Sequence, residues 1–292
     1  MIARARPLLT GAVAFLLLVI VWELAKAVLP DTGVSIGGTR ILPRTDDGAM
    51  PHVWTVLGRL DDPEVAGAAS ARPIGLAVAF GALFTLGLAL GGLVIGGVLG
   101  VLLALLMQRF RLAERAMLPY VVASQTVPLI AIAPLVAGWG GKIQILGWAW
   151  QPWASVMVIS SYLSFFPIAV GMLRGLTSLP RADVELFRTL AADWWTTLLR
   201  LRLPASVPHL IPAVRLAAAA SVVGAIVAEI SLGRSGGIGR LTLEYSRAAT
   251  SDPAKVYTAL MGAAALGIAM ALLVGVVDAL ASRNRPKEHL AG

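Results

Sequence analysis

Residues 73–108 read PIGLAVAFGALFTLGLALGGLVIGGVLGVLLALLMQ, 36 consecutive positions without a charged side chain. As one helix this run would be about 54 Å long, whereas about 20 apolar residues suffice to cross roughly 30 Å of hydrocarbon. The excess predicts a span over about 85–107, preceded by a piece, Pro73–Phe84, that lies along the interface. Outward from it, further charge-free runs lie at 116–141, 143–173 and 256–277. A fifth, about 207–230, is interrupted near its start by Arg215 and ends at Glu229. The first, Leu8 to Leu29, carries Glu23 and Lys26 in its last two turns. Long side chains near helix ends snorkel to water, so both count. The reading is an all-α polytopic membrane protein with about six transmembrane helices.

The composition agrees. Of 292 residues 58% are apolar and mean hydropathy is +0.81, above the roughly 45–50% apolar share of soluble chains. Twenty-four Lys and Arg oppose sixteen Asp and Glu, giving +8 and a pI near 10.6. Such a balance often marks nucleic-acid binding, but here the charges sit between apolar runs, so topology explains them and no nucleic-acid partner is expected. With both termini inside, fourteen basic and six acidic residues fall on the inner side and ten of each on the outer. The whole net charge is then cytoplasmic, as the positive-inside rule requires. Arg4, Arg6, the apolar stretch after them and Ala25-Lys26-Ala27 also have the form of a signal peptide; either way residue 30 arrives outside. The absence of cysteine excludes disulfides, thiolate metal sites and Cys nucleophiles.

The chain divides into an N-terminal helix with an extracytoplasmic segment (1–72), a core (73–280) and a cytoplasmic tail (281–292). The outer segment holds Pro43, Pro51 and Pro63 and a short helix near Val53–Leu60. Between Arg174 and about Pro208 lies an inner segment with helical periodicity. Over Arg181–Ala191, Val184, Phe187, Leu190 and Ala191 share one face, and Asp183, Glu185 and Arg188 the other. Glu185 and Arg188 are spaced to pair. A second amphipathic piece follows, with Trp195, Leu198 and Leu199 on a face beside Arg200 and Arg202, ending at Leu203-Pro204. Exposed Trp194 and Trp195 beside an apolar stripe suit a docking surface; an interfacial helix on anionic lipid is the alternative.

The run Glu185-Leu186-Phe187-(x3)-Ala191-(x9)-Leu201-x-Leu203-Pro204 resembles, without gaps, the EAA loop of ABC importer permeases, whose pattern is E-A-A-x3-G-x9-I-x-L-P. Leu186-Phe187 replaces the small pair and Ala191 the glycine. Glycine permits a turn with φ > 0 between the two loop helices; alanine implies a less sharp turn or a continuous bend. The resemblance covers roughly residues 75–280. It includes Ser124-Gln125-Thr126-Val127-Pro128 with Ile130–Leu135, Phe165-Phe166-Pro167-Ile168 and Ala225-Ile226-Val227-Ala228-Glu229. These are similar to the sulfonate, nitrate, taurine and pyrimidine-precursor branch. Within it the SQT-x-P run, Val223–Ile226 and Ser251–Lys255 are most similar to members handling riboflavin or hydroxymethylpyrimidine-like vitamins. The resemblance implies a type I ABC importer permease fold, two cytoplasmic ATPase subunits that bind ATP and Mg, an external substrate-binding protein and a second permease copy. It also places ATPase coupling on Val184, Glu185, Phe187, Arg188, Ala191, Trp194, Trp195, Leu198, Leu203 and Pro204.

No ATP site is expected in this chain: Gly141-Lys142 has Val136 at the first P-loop glycine and Ile143 in place of Ser or Thr. His52, His209 and His289 are too scattered for a metal site. Gly87, Gly91, Gly92, Gly96 and Gly100 form overlapping G-x-x-x-G spacings, read as close packing within the subunit or as a sliding contact. Pro119, Pro128 and Pro134 kink or break the third span. Ser124, Gln125 and Thr126 lie in that kinked region, where facing lipid would be costly; they line the translocation path or act as hydrogen-bonding glue. Trp139, Trp148, Trp150 and Trp153 form an interfacial belt or stack on a planar ligand. Glu229, near the outer end of the fifth span, joins the substrate path by sealing a gate or meeting the binding protein, or makes a structural ion pair. A secondary transporter would need mid-span carboxylates, which are scarce, and a non-transport scaffold would use the loop only to bind a partner.

Overall fold

The computed structural model describes residues 2–36, 39–42, 44–65, 72–145, 147–233 and 236–281, with the side chains of residues 2–9, 12, 36, 39, 40, 145, 148 and 281 excepted. The expected tail with His289, and the side chains of Arg4, Arg6 and Trp148, lie outside these residues. The chain forms two compact units, residues 1–80 with 241–262, and residues 81–240 with 263–292.

In the first unit, α1 (Ile2–Val28) leads to an antiparallel hairpin of β1 (Val34–Ile36) and β2 (Thr39–Leu42). Then come α2 (Val53–Gly58) and a 3-10 turn, Arg59–Asp61, where the sequence predicts a helix over Val53–Leu60. Glu23 and Lys26, unwelcome in a span, are satisfied by the segment that follows. The Lys26 ammonium donates to Thr45 O (3.1 Å) and Met50 O (2.8 Å) and meets the Asp47 carboxylate at 2.6 Å. That contact holds the Asp47 carboxyl below the usual carboxylate range. Glu23 accepts from the Val53 N–H (2.9 Å) and meets His52 Nδ1 (2.7 Å). It thereby serves α2 as an N-cap, a role His52 itself does not fill. Asp252 binds the Arg59 guanidinium at 2.6 Å, and Glu64 gathers Arg72, Tyr245 and Lys255.

Helix α3 (Ile74–Arg109) is continuous over 36 residues, so the expected interfacial piece before residue 85 is not separate. No proline interrupts its interior and no polar cap stops it, and a helix longer than the bilayer accommodates by tilting or protruding. The next span is broken into α4 (Arg111–Ser124) and α5 (Leu129–Gly140), whose axes differ by 104°. The break falls at Pro128, while Pro119 and Pro134 are carried inside helices. A two-residue hairpin, β3 (Gln144–Ile145) with β4 (Trp148–Ala149), precedes α6 (Pro152–Thr177). Helices α7 (Arg181–Thr189) and α8 (Trp194–Thr197) follow, then a π-helical turn, Leu198–Arg202. Helix α9 (Leu203–Leu232) ends at Gly233 with φ 62°, the left-handed C-cap that glycine favours. Helices α10 (Ile238–Arg247) and α11 (Pro253–Ala281) complete the chain.

Among the described residues four helical runs are long and apolar enough to cross a membrane: α3, α6, Trp194–Leu232 and Pro253–Leu280. The bent pair α4–α5 makes a fifth. The sixth expected from the sequence, α1, is not among these runs.

Within the second unit α6 packs along α9, and α3 packs on α6. Lipid offers no hydrophobic drive between helices, so close approach and hydrogen bonds hold them. A Cβ on Gly96 would lie 2.6 Å from Ser161 O, and one on Gly100 2.7 Å from Phe165 O, so bare backbone faces α6 there. Gly92 lies equally close to Ser160, while Gly87 faces open space. This series therefore packs within the subunit. Ser164 Oγ donates to Gly92 O (3.2 Å) and Ser160 Oγ to Ser221 O (2.8 Å). At one end the core closes on Ala104, Met107, Met172, Leu173, Leu176 and Leu198.

Candidate functional site

The 181–204 segment starts with α7, whose Val184 and Phe187 are half-buried and whose Glu185, Leu186, Arg188 and Leu190 are exposed. The i, i+3 ion pair expected between Glu185 and Arg188 does not form: among the described residues the pair with that spacing is Arg59–Asp62. Helix α7 stops in a Schellman motif. The Ala191 N–H donates to Arg188 O and the Ala192 N–H to Phe187 O, both at 3.0 Å. This geometry requires a left-handed residue, and Ala191 supplies it with φ 53°. The gentler bend expected from alanine is thus corrected: the turn is as sharp as glycine would make it. A non-glycine residue there costs about 1–2 kcal/mol. Ala191→Gly is expected to stabilise the loop by about 1 kcal/mol, read as slower amide exchange at Ala192.

Asp193 caps α8, its Oδ1 accepting from the Thr196 N–H at 3.0 Å, and the contacts with Thr196 hold its carboxyl below the usual range. Helix α8 does not end at Leu203-Pro204 as expected. It runs through the π turn into α9, so Trp194–Leu232 is one helical run. Pro204 cannot donate to the carbonyl four residues back, and the wider π turn accommodates that gap.

The turn also changes which residues face out. Leu198 is 2% exposed inside the core, so its side chain is not on a docking surface; it anchors the loop to the helices. Trp194 and Leu203 are half-buried against the same cluster, with the Arg109 guanidinium 5.0 Å from the Trp194 ring. Trp195 is 63% exposed and packs edge-on to Trp194 with centroids 4.6 Å apart. Leu186, Leu190, Trp195 and Leu199 are the large apolar side chains left exposed, with Pro204 also open. Leu186, which helical periodicity puts on neither named face of α7, is exposed beside Glu185 in the EAA-like run.

Ser124, Gln125 and Thr126 lie together at the α4–α5 break. The Ser124 hydroxyl donates to Val121 O (2.7 Å) and that of Thr126 to Ala123 O (2.8 Å), each serving a final carbonyl of α4. Tyr162 of α6 donates to Ser124 O. The Gln125 carboxamide reaches only Ser124 Oγ, at 3.5 Å, among the described residues. Its polar end is thus the least committed at the break.

Glu229 is elsewhere. About 50 Å of helix at 1.5 Å per residue separates it from Trp194. It is fully buried, accepting from the Thr85 hydroxyl (2.9 Å) and the Gly239 N–H (2.9 Å), while Thr85 Oγ1 accepts from the Ile238 N–H (2.9 Å). The carboxylate joins α3, α9 and the start of α10, and these contacts give it a structural role within the subunit. Its described partners are neutral, so the ion-pair alternative is not realised among them. Gly237 and Gly239 bring the backbone within reach of it: a Cβ on Gly239 would lie 2.5 Å from Ile226 O. Trp139 and Trp153 are exposed, and Trp150 donates through Nε1 to Ser155 Oγ at 2.8 Å.

Several known proteins are similar to this chain in sequence, and one solved structure in fold. The chain is 33% identical over 236 residues to the formylaminopyrimidine transport permease protein ThiX of Halalkalibacterium halodurans, covering 81% of this chain and 80% of that one. It is 28% identical over 173 residues to the riboflavin transport system permease protein RibX of Chloroflexus aurantiacus, covering 59% and 60% respectively. Against the putative aliphatic sulfonates transport permease protein SsuC of Bacillus subtilis it is 25% identical over 153 residues, covering 52% of each. The crystal structure of an amino acid ABC transporter with histidines shares the fold, with a TM-score of 0.55 at 17% identity over 72% of this chain and 95% of that one. The profile of the binding-protein-dependent transport system inner membrane component matches residues 96–287, so the chain belongs to that family and is the membrane permease of an ABC transporter, a transport subunit and not an enzyme.

Proposed function

We propose that this permease imports a small nitrogen heteroaromatic solute, of the pyrimidine-precursor or riboflavin kind, delivered by a substrate-binding protein. The similarity to ThiX over 81% of the chain supports that class ahead of aliphatic sulfonates, nitrate or taurine. Both termini and the 181–204 segment face the cytoplasm, where partner ATPases bind ATP and Mg. Two copies of the permease form the pathway, each serving one ATPase. ATP binding closes the ATPase pair, the docked loops follow, and the helices open outward to receive the solute; hydrolysis returns them inward.

The observation that carries the docking part of this reading is the set of exposed apolar side chains Leu186, Leu190, Trp195 and Leu199 in the 181–204 segment, which the buried Leu198 anchors to the core. Coupling rests on these side chains together with Val184, Glu185, Phe187, Arg188 and the turn at Ala191. Because the chain has no cysteine, orientation is tested with one introduced thiol. Thr189→Cys is expected to react with an impermeant maleimide only in inside-out vesicles, and reaction in right-side-out vesicles would reverse the topology.

The solute passes the α4–α5 break, where Ser124, Gln125 and Thr126 supply polar contacts. Gln125→Ala and Thr126→Ala are expected to lower uptake about tenfold, the loss of one or two ligand hydrogen bonds, with complex assembly unchanged. Radiolabelled uptake in proteoliposomes checks this, and undiminished uptake would assign the three residues to packing.

A further inference from the structure

Beyond the docking patch, the end of the second unit that carries α7 holds an open cleft of about 440 Å³. Arg111 at the start of α4, Arg181 and Arg188 on α7, and Arg202 of the π turn line it, with Glu185 the one carboxylate among its lining residues. None of the four guanidinium groups forms an ion pair among the described residues. Arg202 is the least exposed of them. Its Nη1 donates to Leu176 O at 2.9 Å, which fixes the group, while its Nε is shielded from solvent and has no acceptor. Like charges converge here at electrostatic cost, which no ion pair among the described residues offsets.

A guanidinium cluster of this kind matches a phosphate anion, which accepts paired N–H donors from several arginines. Two features favour a lipid as the carrier of that phosphate. The cleft adjoins a second one, of about 370 Å³, that shares Arg111, holds Glu114 and Arg115 on the next turn of α4, and continues past Leu118 and Pro119. Around Arg111, Phe110 and Leu112 are exposed, and farther along α4 so are Tyr120 and Val122. Charge at one end with uncovered apolar surface beside it fits a headgroup with acyl chains.

We propose that Arg111, Arg181, Arg188 and Arg202 form a binding site for a phosphate anion, supplied by the headgroup of an anionic phospholipid. The site rests on the proposed topology only in naming the cytoplasmic leaflet. It links lipid composition to the segment that carries the docking patch, because Arg181 and Arg188 belong to α7.

The test uses the full-length permease without any ATPase, in phosphatidylcholine nanodiscs doped with spin-labelled phosphatidylglycerol or spin-labelled phosphatidylcholine. The wild type is expected to restrict the phosphatidylglycerol label preferentially. The exposed-site double variant Arg181→Gln/Arg188→Gln is expected to lose about fivefold or more of that preference, while the control Arg174→Gln/Arg200→Gln, the same loss of two charges at residues that do not line the cleft, leaves it intact. Inorganic phosphate titrated at constant ionic strength separates the sources. Displacement of the label by low millimolar phosphate, absent in the double variant, keeps the anion site but assigns it to free phosphate. Equal restriction of both lipids, with no phosphate effect, overturns the proposal. So does an unchanged preference in the double variant. Loss of ATPase co-purification in that variant with lipid preference retained would assign the arginines to the protein partner instead. Since lipid binding is read without the ATPase and from both nanodisc faces, failure of the transport reading does not alter the result.

Discussion

Trp195→Asp is expected to abolish co-purification of the partner ATPase while the permease remains folded and inserted. Trp195 is 63% exposed and reaches the core only through its edge-on contact with Trp194, so a carboxylate there meets water in the isolated subunit. In a docked complex the same carboxylate would be desolvated at the centre of an apolar contact. Central aromatic residues typically contribute 2 kcal/mol or more to an interface, so affinity should fall by about 30-fold at least. Leu198→Asp supplies the contrast. That side chain is packed against Met107, Met172 and Leu176, and a carboxylate in this cluster should unfold the loop and lower the yield of permease itself. If Trp195→Asp left ATPase association and uptake intact, the docking assignment would fail; equal loss of folded protein in both variants would make Trp195 a structural residue.

That contrast shows where sequence periodicity ceased to be a guide. Trp195, Leu198 and Leu199 share a face by α-helical spacing, but the π turn at Leu198–Arg202 shifts the phase, and Leu198 turns inward. A π turn has no compositional mark beyond the nearby Pro204. Spans were legible because 20 uncharged residues have few alternatives in water, and the loop because its polar positions repeat with helical period. The length of α3 was misjudged because bilayer thickness limits what lipid covers, not how far a helix continues. Ala191 was misjudged from intrinsic preference: alanine disfavours positive φ, yet two Schellman hydrogen bonds and the following Asp193 cap hold the turn. Residue type gives only the local term in that balance. Gln125 and its neighbours were placed at a kink by Pro128, and the structure locates them there, although the 104° angle between the flanking helices is not a property of any one proline.

Glu229→Leu is expected to be among the most destabilising single changes in the second unit. The carboxylate is fully buried and accepts the Gly239 N–H at 2.9 Å. Leucine of similar volume would leave that donor without an acceptor, and an unpaired buried group costs about 1–3 kcal/mol. Loss of the Thr85 contact and the misfit of a branched side chain against Gly237 should bring the total to about 2–4 kcal/mol. Glu229→Gln behaves differently. Its amide oxygen still accepts from Gly239, and its NH2 donates to Thr85 Oγ1, whose own proton turns to Gly81 O, 3.0 Å away. The network survives with one hydrogen bond reversed, so the loss should stay within about 1 kcal/mol. Thermal unfolding in detergent reads both variants, and uptake by Glu229→Gln decides the role. A structural carboxylate predicts near-normal KM and rate, because the shape and the bonds persist. Abolished uptake in a Gln variant of normal stability and assembly would mean that the negative charge itself acts in transport. The residue would then belong to the substrate path, with Thr85 and the Gly237–Gly239 backbone as the groups that hold it.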